Sequence, residues 1–155
     1  MPKKQIEKII TNKKAYHNYS VLETYESGIE LLGCEVKSLR QKDVNLEGSF
    51  VRMNKNEAFL HNMHIKPYIY HTAGEVDPLR TRRLLLKSRE IKKLTQELRL
   101  QPFTLIPLEI YFKRGWAKIK LGLCKGKKLF DKRDTLKKKA IKKHLDRDFK
   151  NKYKV

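Results

Sequence analysis

Residues 103–124 read "FTLIPLEIYFKRGWAKIKLGLC". Two apolar-rich runs flank Lys113-Arg114-Gly115, where a glycine behind a basic pair marks a chain reversal. The second run is the clearest strand in the protein. Ala117, Ile119, Leu121 and Leu123 fall on one side of its pleat, and Trp116, Lys118 and Lys120 fall on the other. One side suits a core. The other offers cations beside an aromatic ring.

Working outward, "NYSVLETY" at residues 18–25 alternates as a strand, with Tyr19, Val21 and Tyr25 on one side and a bend expected at Glu26-Ser27-Gly28. "GCEVKSLRQ" from Gly33 suits a short helix with Val36 and Leu39 on one face. "SFVRM" and "EAFLHN" flank Asn54-Lys55-Asn56 as a hairpin. Asp77-Pro78 predicts a helix start, with Leu84, Ile91, Leu94 and Leu98 at helical spacing out to about Arg99; Pro102 prevents continuation. Five or six strands with one helix between the third and fourth is the order of an OB-type barrel. The expected fold is therefore mainly β: an OB-type barrel with flanking helices.

Charge decides the partner. The 155 residues carry a formal net charge of +20, which points to a polyanion, nucleic acid first. Residues 125–155 hold 14 Lys and Arg against 4 Asp, so half of the net charge lies on the last fifth of the chain. That composition predicts a basic C-terminal tail over 129–155, disordered when free, behind an RNA-binding domain over 1–128 whose first 14 or so residues form a mobile arm. The tail also has an apolar stripe, Leu136, Ala140, Ile141, Leu145 and Phe149, with Asp131 and Asp134 near its possible helical start. No run is apolar enough to span a membrane, the N-terminus lacks a signal-peptide core, and two cysteines make no disulfide framework. A cytoplasmic, monomeric protein with reduced, buried thiols at Cys34 and Cys124 is expected.

Catalysis finds little support. His61 and His64 lie in or beside a strand, where an odd separation sends them to opposite faces, and no cysteine pair completes a metal site. Glu26, Glu30 and Glu35 are expected to be solvated or paired with lysine. No phosphate loop or nucleophile elbow occurs. The reading is of no catalytic residue, no metal and no cofactor. Binding finds more. Aromatic and basic residues interleave at Lys13-Lys14-Ala15-Tyr16-His17, at Tyr111-Phe112-Lys113-Arg114, at Trp116 before Lys118, and at Lys127-Lys128 before Phe130. Cations hold phosphates while flat side chains stack on exposed bases. Most of these aromatics are expected in the barrel core, with Tyr16, His17 and Phe130 left outside it.

The blocks "NKKAYHNY", "ESGIELLGCEVKSLRQ", "NLEGSFVRM", "EAFLHNMHIKPY", "DPLRTRRLLLKSREI", "TLIPLEIYFKRGWAKIKLGLCKGKK" and "FDKRD" together resemble, in order and spacing, the small protein B family, the bacterial partners of transfer-messenger RNA. The resemblance implies an OB-type barrel that binds the tRNA-like domain of that RNA and enters stalled ribosomes, chiefly against small-subunit rRNA, for trans-translation. It implies RNA-facing roles for Asn12, His17, Glu26 and Leu85, and phosphate contacts by Lys13, Lys118, Lys120, Lys125, Lys127 and Lys128. It implies a decoding role for the tail, with Phe130 stacking on a ribosomal base and Asp131, Lys132 and Arg133 forming a charged triplet. The chain departs from the pattern at Cys34, at Glu75-Val76, at Pro102 and in a far tail without tryptophan, where Phe149 and Tyr153 stand nearest. The competing readings are a structural ribosomal protein and an RNA-processing enzyme built on His17 and a glutamate.

Overall fold

The computed structural model describes residues 5–152. Among them the chain forms, in order, β1 (Ile6–Thr11), α1 (Lys13–Asn18), β2 (Tyr19–Ile29), α2 (Gly33–Arg40), β3 (Val44–Asn45), β4 (Phe50–Asn54), β5 (Glu57–His61), β6 (His64–Ile65), β7 (Arg82–Leu85), α3 (Ser88–Leu100), β8 (Thr104–Lys113), β9 (Trp116–Gly126) and α4 (Leu129–Lys152). Six strands close on themselves. β8 pairs with β9, β9 with β2, β2 with β7, β7 with β5 and β5 with β4; β4 returns to β8 at Val51 opposite Leu105, all antiparallel. β1 lies along the far half of β8, from Ile6 opposite Lys113 to Thr11 opposite Glu109. This is the mainly β barrel with flanking helices that the sequence predicts.

The β8–β9 hairpin turns at Arg114 (φ 52°) and Gly115 (φ 80°), and the β4–β5 hairpin at Lys55 (φ 45°) and Asn56 (φ 62°). Two left-handed residues in succession match the right-handed twist of the flanking strands. Inside the barrel, Ile119, Leu121 and Leu123 of β9 are buried with Leu105 and Ile110 of β8, Leu60 of β5, Leu39 of α2 and Leu94 of α3. The outer side of β9 is divided. Trp116 is exposed and Lys118 and Lys120 are half-buried, whereas Cys124 is buried with Ala15, Ile106 and Leu108 beneath α1. Gly122 sits in that second cluster, where a Cβ would come within 2.7 Å of Leu108 Cδ1. A short helix thus seals one half of the outer face and leaves the other half to solvent. Burial pushes the Cys124 thiol up to about 11; Cys34 is only half-buried, and both cysteines are free.

Several expectations are corrected. Where described, the arm is strand β1, because Ile9 reaches the core while Glu7 and Lys8 face out; residues 1–4 lie outside the described residues. Residues 26–28 do not bend: β2 runs through them to Ile29, paired with Lys120, Ile119 and Lys118. No helix starts at Asp77-Pro78. Asp77 Oδ1 accepts from the Leu79 amide at 2.9 Å, a local turn, and residues 82–85 become β7 between β2 and β5. The helix begins at Ser88, with Glu90 accepting from the Lys87 amide at 3.1 Å. The tail expected to be disordered when free is helical from Leu129 to Lys152. Asp131 in its first turn and Lys150 and Lys152 in its last match the helix dipole. Lys127 Nζ ties it to the barrel, donating to Thr135 Oγ1 at 3.0 Å and to the Tyr16 carbonyl of α1 at 3.2 Å. No residue of α4 is buried. Tyr153 lies outside the described residues.

Candidate nucleic-acid interface

Alternation fixes which side chains share the open half of the barrel surface. On β9, Trp116, Lys118 and Lys120 point outward. Register then places Lys113 opposite Trp116, Tyr111 opposite Lys118 and Glu109 opposite Lys120 on β8, and Ile6 opposite Lys113 and Lys8 opposite Tyr111 on β1. On the other flank, Glu26 of β2 pairs with Lys120 and Gly28 with Lys118, and Leu85 of β7 pairs with Gly28. Glu26, Leu85, Lys118 and Lys120, far apart in sequence, therefore occupy one continuous face. A shallow groove of about 320 Å³ runs across it, lined by Lys8, Glu26, Tyr111 and Lys120 among others.

Glu26 is fixed in place. It accepts from the Tyr111 hydroxyl and from Lys113 Nζ at 3.2 Å. The Tyr111 hydrogen bond, above all, holds its carboxyl below the usual carboxylate range; partial burial opposes this and Lys113 reinforces it. Burial first, and then Glu26, push the Tyr111 phenol well above its usual value, so it stays a donor. An ionised carboxylate only accepts hydrogen bonds. Among phosphates it is repelled, so what it can take from RNA is a base amino or imino group or a ribose hydroxyl. Lys8 is drawn toward Glu109 at 3.3 Å, while Lys118 and Lys120 stand half-buried beside the groove. Lys8, Tyr111 and Lys113 belong to this face as much as the expected residues do. The signal for them was strand register, which the sequence does not display.

The other expected residues fall elsewhere. Asn12 is buried and caps α1: Oδ1 accepts from the Ala15 amide at 3.2 Å, and Nδ2 donates to the Pro107 and Leu46 carbonyls at 3.0 and 3.3 Å. Its side chain places α1. Lys13 is exposed and His17 half-buried on that helix, while Tyr16 packs against the cluster beneath it. Lys125 and Lys128 are exposed; Lys127 is engaged with Tyr16 and Thr135. Phe130 is 72% exposed at the start of α4, beside exposed Asp131 and Arg133 and half-buried Lys132. These positions form a second set where α1 meets α4. Glu35, expected to be solvated, is instead buried against Arg80 and Arg82. His61 stacks on Phe50 at 5.3 Å, and among the described residues no group of three or more His, Cys, Asp or Glu is placed to hold a metal. No described helix is long and apolar enough to cross a membrane.

With this geometry in view, comparisons with known proteins agree among themselves. The family model described as SmpB protein matches residues 9–151. An SsrA-binding protein from Elusimicrobium minutum is 60% identical over 144 residues, 93% of this chain and 92% of that protein. One from Geobacillus thermodenitrificans is 48% identical over the whole of both chains. Among solved structures, a chain described under "tmRNA-SmpB: a journey to the center of the bacterial ribosome" is 47% identical, with a TM-score of 0.65 over 77% of this chain and 85% of its own.

Proposed function

The chain belongs to the SmpB family, and from that premise we propose that it binds the tRNA-like domain of transfer-messenger RNA and carries that RNA into stalled ribosomes, where the nascent chain is tagged and the ribosome released. The observation that carries this reading is the face on which Glu26, Leu85, Lys118 and Lys120 converge. It combines a fixed acceptor, exposed apolar surface and cations, which RNA recognition needs together. The protein is an RNA-binding protein, and the work it does is positioning, in the cytoplasm beside the ribosome. Residues up to 128 hold RNA, and those from 129 onward enter the ribosome. Phe130 stacks on a base of small-subunit rRNA in this reading, which its 72% exposure supports, with Asp131, Lys132 and Arg133 orienting the helix behind it. Lys13, His17, Lys125 and Lys128 reach RNA from the same end, while Asn12 and Lys127 act by placing α1 and α4.

A reconstituted translation system tests the division. A chain ending after Lys128 retains every barrel strand, so it is expected to bind the tRNA-like RNA with nearly wild-type affinity and to fail in tagging on stalled ribosomes. Phe130→Ala is expected to show part of that defect, since stacking on one base contributes roughly 1–3 kcal/mol. Tagging by the shortened chain at the wild-type rate would exclude a ribosomal role for the tail.

A further inference from the structure

Trp116 is the largest apolar side chain in the protein, and it is 74% exposed at the first position of β9. It is not alone. Ile6 is 56% exposed and Leu85 50% exposed on the same outer face. The turn before Trp116 has only two residues, both with positive φ, so the hairpin itself contributes no overhanging loop. Between Leu85 and Lys118 the backbone is bare: Gly28 has no side chain, and a Cβ there would approach Leu85 Cβ to 3.2 Å. One pleat farther along β9 stands Trp116, with Lys113 across the hairpin and Lys118 beside it. An exposed indole bordered by ammonium groups is poorly suited to an apolar protein partner. It suits a ligand that is flat and apolar in one part and anionic in another.

We propose that Trp116 is a base-stacking position of the RNA-binding face, where an exposed base of the bound RNA lies on the indole while Arg114 and Lys118 meet the adjoining phosphates. The inference rests on the functional reading above and adds to it a contact that the family blocks did not single out. An indole stacks on any base, because every base has a π-face. Trp116 therefore supplies affinity, and the fixed Glu26 acceptor supplies selectivity along the same groove.

The chain has one tryptophan, so the intrinsic emission of the unmodified protein reports this side chain directly. The probe is a transcript of the tRNA-like domain of transfer-messenger RNA, titrated into full-length protein beside a gel shift on the same samples. Saturation is expected to quench the emission and to shield the indole from acrylamide. Trp116→Phe, which keeps a stacking ring, is expected to bind within a few-fold of wild type. Trp116→Ala is expected to bind about 5- to 150-fold more weakly with an unchanged thermal melt, since little of the indole is buried. RNA bound in the gel with emission and acrylamide access unchanged would overturn the inference and leave the functional reading standing. So would a folded Trp116→Ala protein with wild-type affinity. Absence of any RNA complex would overturn the functional reading and the inference together.

Discussion

Glu35 is 3% exposed, and its carboxylate is the knot of the barrel's far end. It accepts from Arg82 Nε at 2.6 Å, Arg80 Nη2 at 2.5 Å and the Leu32 amide at 3.0 Å. Arg82 is itself fully buried and donates onward to the Met63 and Pro78 carbonyls at 2.7 and 3.1 Å. Three segments, the start of α2, the chain after β5 and the entry to β7, are thus joined through two ion pairs on one carboxylate. Burial by itself would raise the Glu35 pKa, but the Leu32 amide and the two guanidinium groups outweigh it and hold the carboxyl below its usual value. A folded-state pKa below the unfolded one contributes stability that is complete above the unfolded value of roughly 4.3 and is lost as pH falls through the folded value. Glu35→Gln is accordingly expected to flatten the acid limb of a stability-against-pH curve. Glu35→Ala leaves Arg82 buried without its counter-charge, at a cost of about 3–5 kcal/mol, measurable by urea unfolding at neutral pH. An Ala variant with the wild-type midpoint would show that the pair is dispensable.

Among the elements, those specified by near neighbours in sequence were legible and those specified by distant partners were not. The β8–β9 and β4–β5 hairpins announce themselves through alternation and turn residues, and α2 through Val36 and Leu39. β7 does not. Four residues with a buried arginine look like part of a helix, and only Gly28, Ile29 and residues 58–60 on either side make them a strand. β1 is hidden for the same reason, since one strong inward contact at Ile9 is no periodicity. The candidate face was half legible. Glu26 and Leu85 were named from the family blocks, and Trp116, Lys118 and Lys120 were read on the outer side of their strand, but sequence alone does not say which half of an outer face a helix will cover. Asn12, read as RNA-facing, turns its side chain to the Ala15 amide and the Pro107 and Leu46 carbonyls. For α1 this gives a sharp expectation. Asn12→Ala removes the cap and the donations to the Pro107 and Leu46 carbonyls, lowering stability by about 1–3 kcal/mol. Asn12→Asp keeps the cap acceptor but loses both donors, and is expected to be no better. Thermal melts of the two variants decide it. Two unchanged melting temperatures would return Asn12 to the RNA.

On the scale of the whole molecule, a net charge of +20 sets how tightly RNA is held. Logarithmic affinity is expected to fall linearly with logarithmic salt, with a slope of roughly −0.7 to −0.9 per neutralised phosphate. A chain lacking α4 should have a shallower slope, and a flat line for the full protein would contradict a phosphate-centred interface. The Lys127 bridge to Tyr16 and Thr135 joins the start of α4 to α1. Because that bridge clamps only the first turns of α4, the 17 residues of the helix beyond Thr135, out to Lys152, are a spacer with a rotational setting, about 26 Å long at 1.5 Å per residue. One alanine inserted after Thr135 would lengthen it by only about 1.5 Å but turn everything beyond by about 100°. Seven alanines would lengthen it by roughly 10 Å and restore the bearing to within about 20°. If the clamp sets a bearing, tagging should fall with one inserted residue and recover with seven; the reverse order would mean that reach, and not angle, is what the ribosome measures.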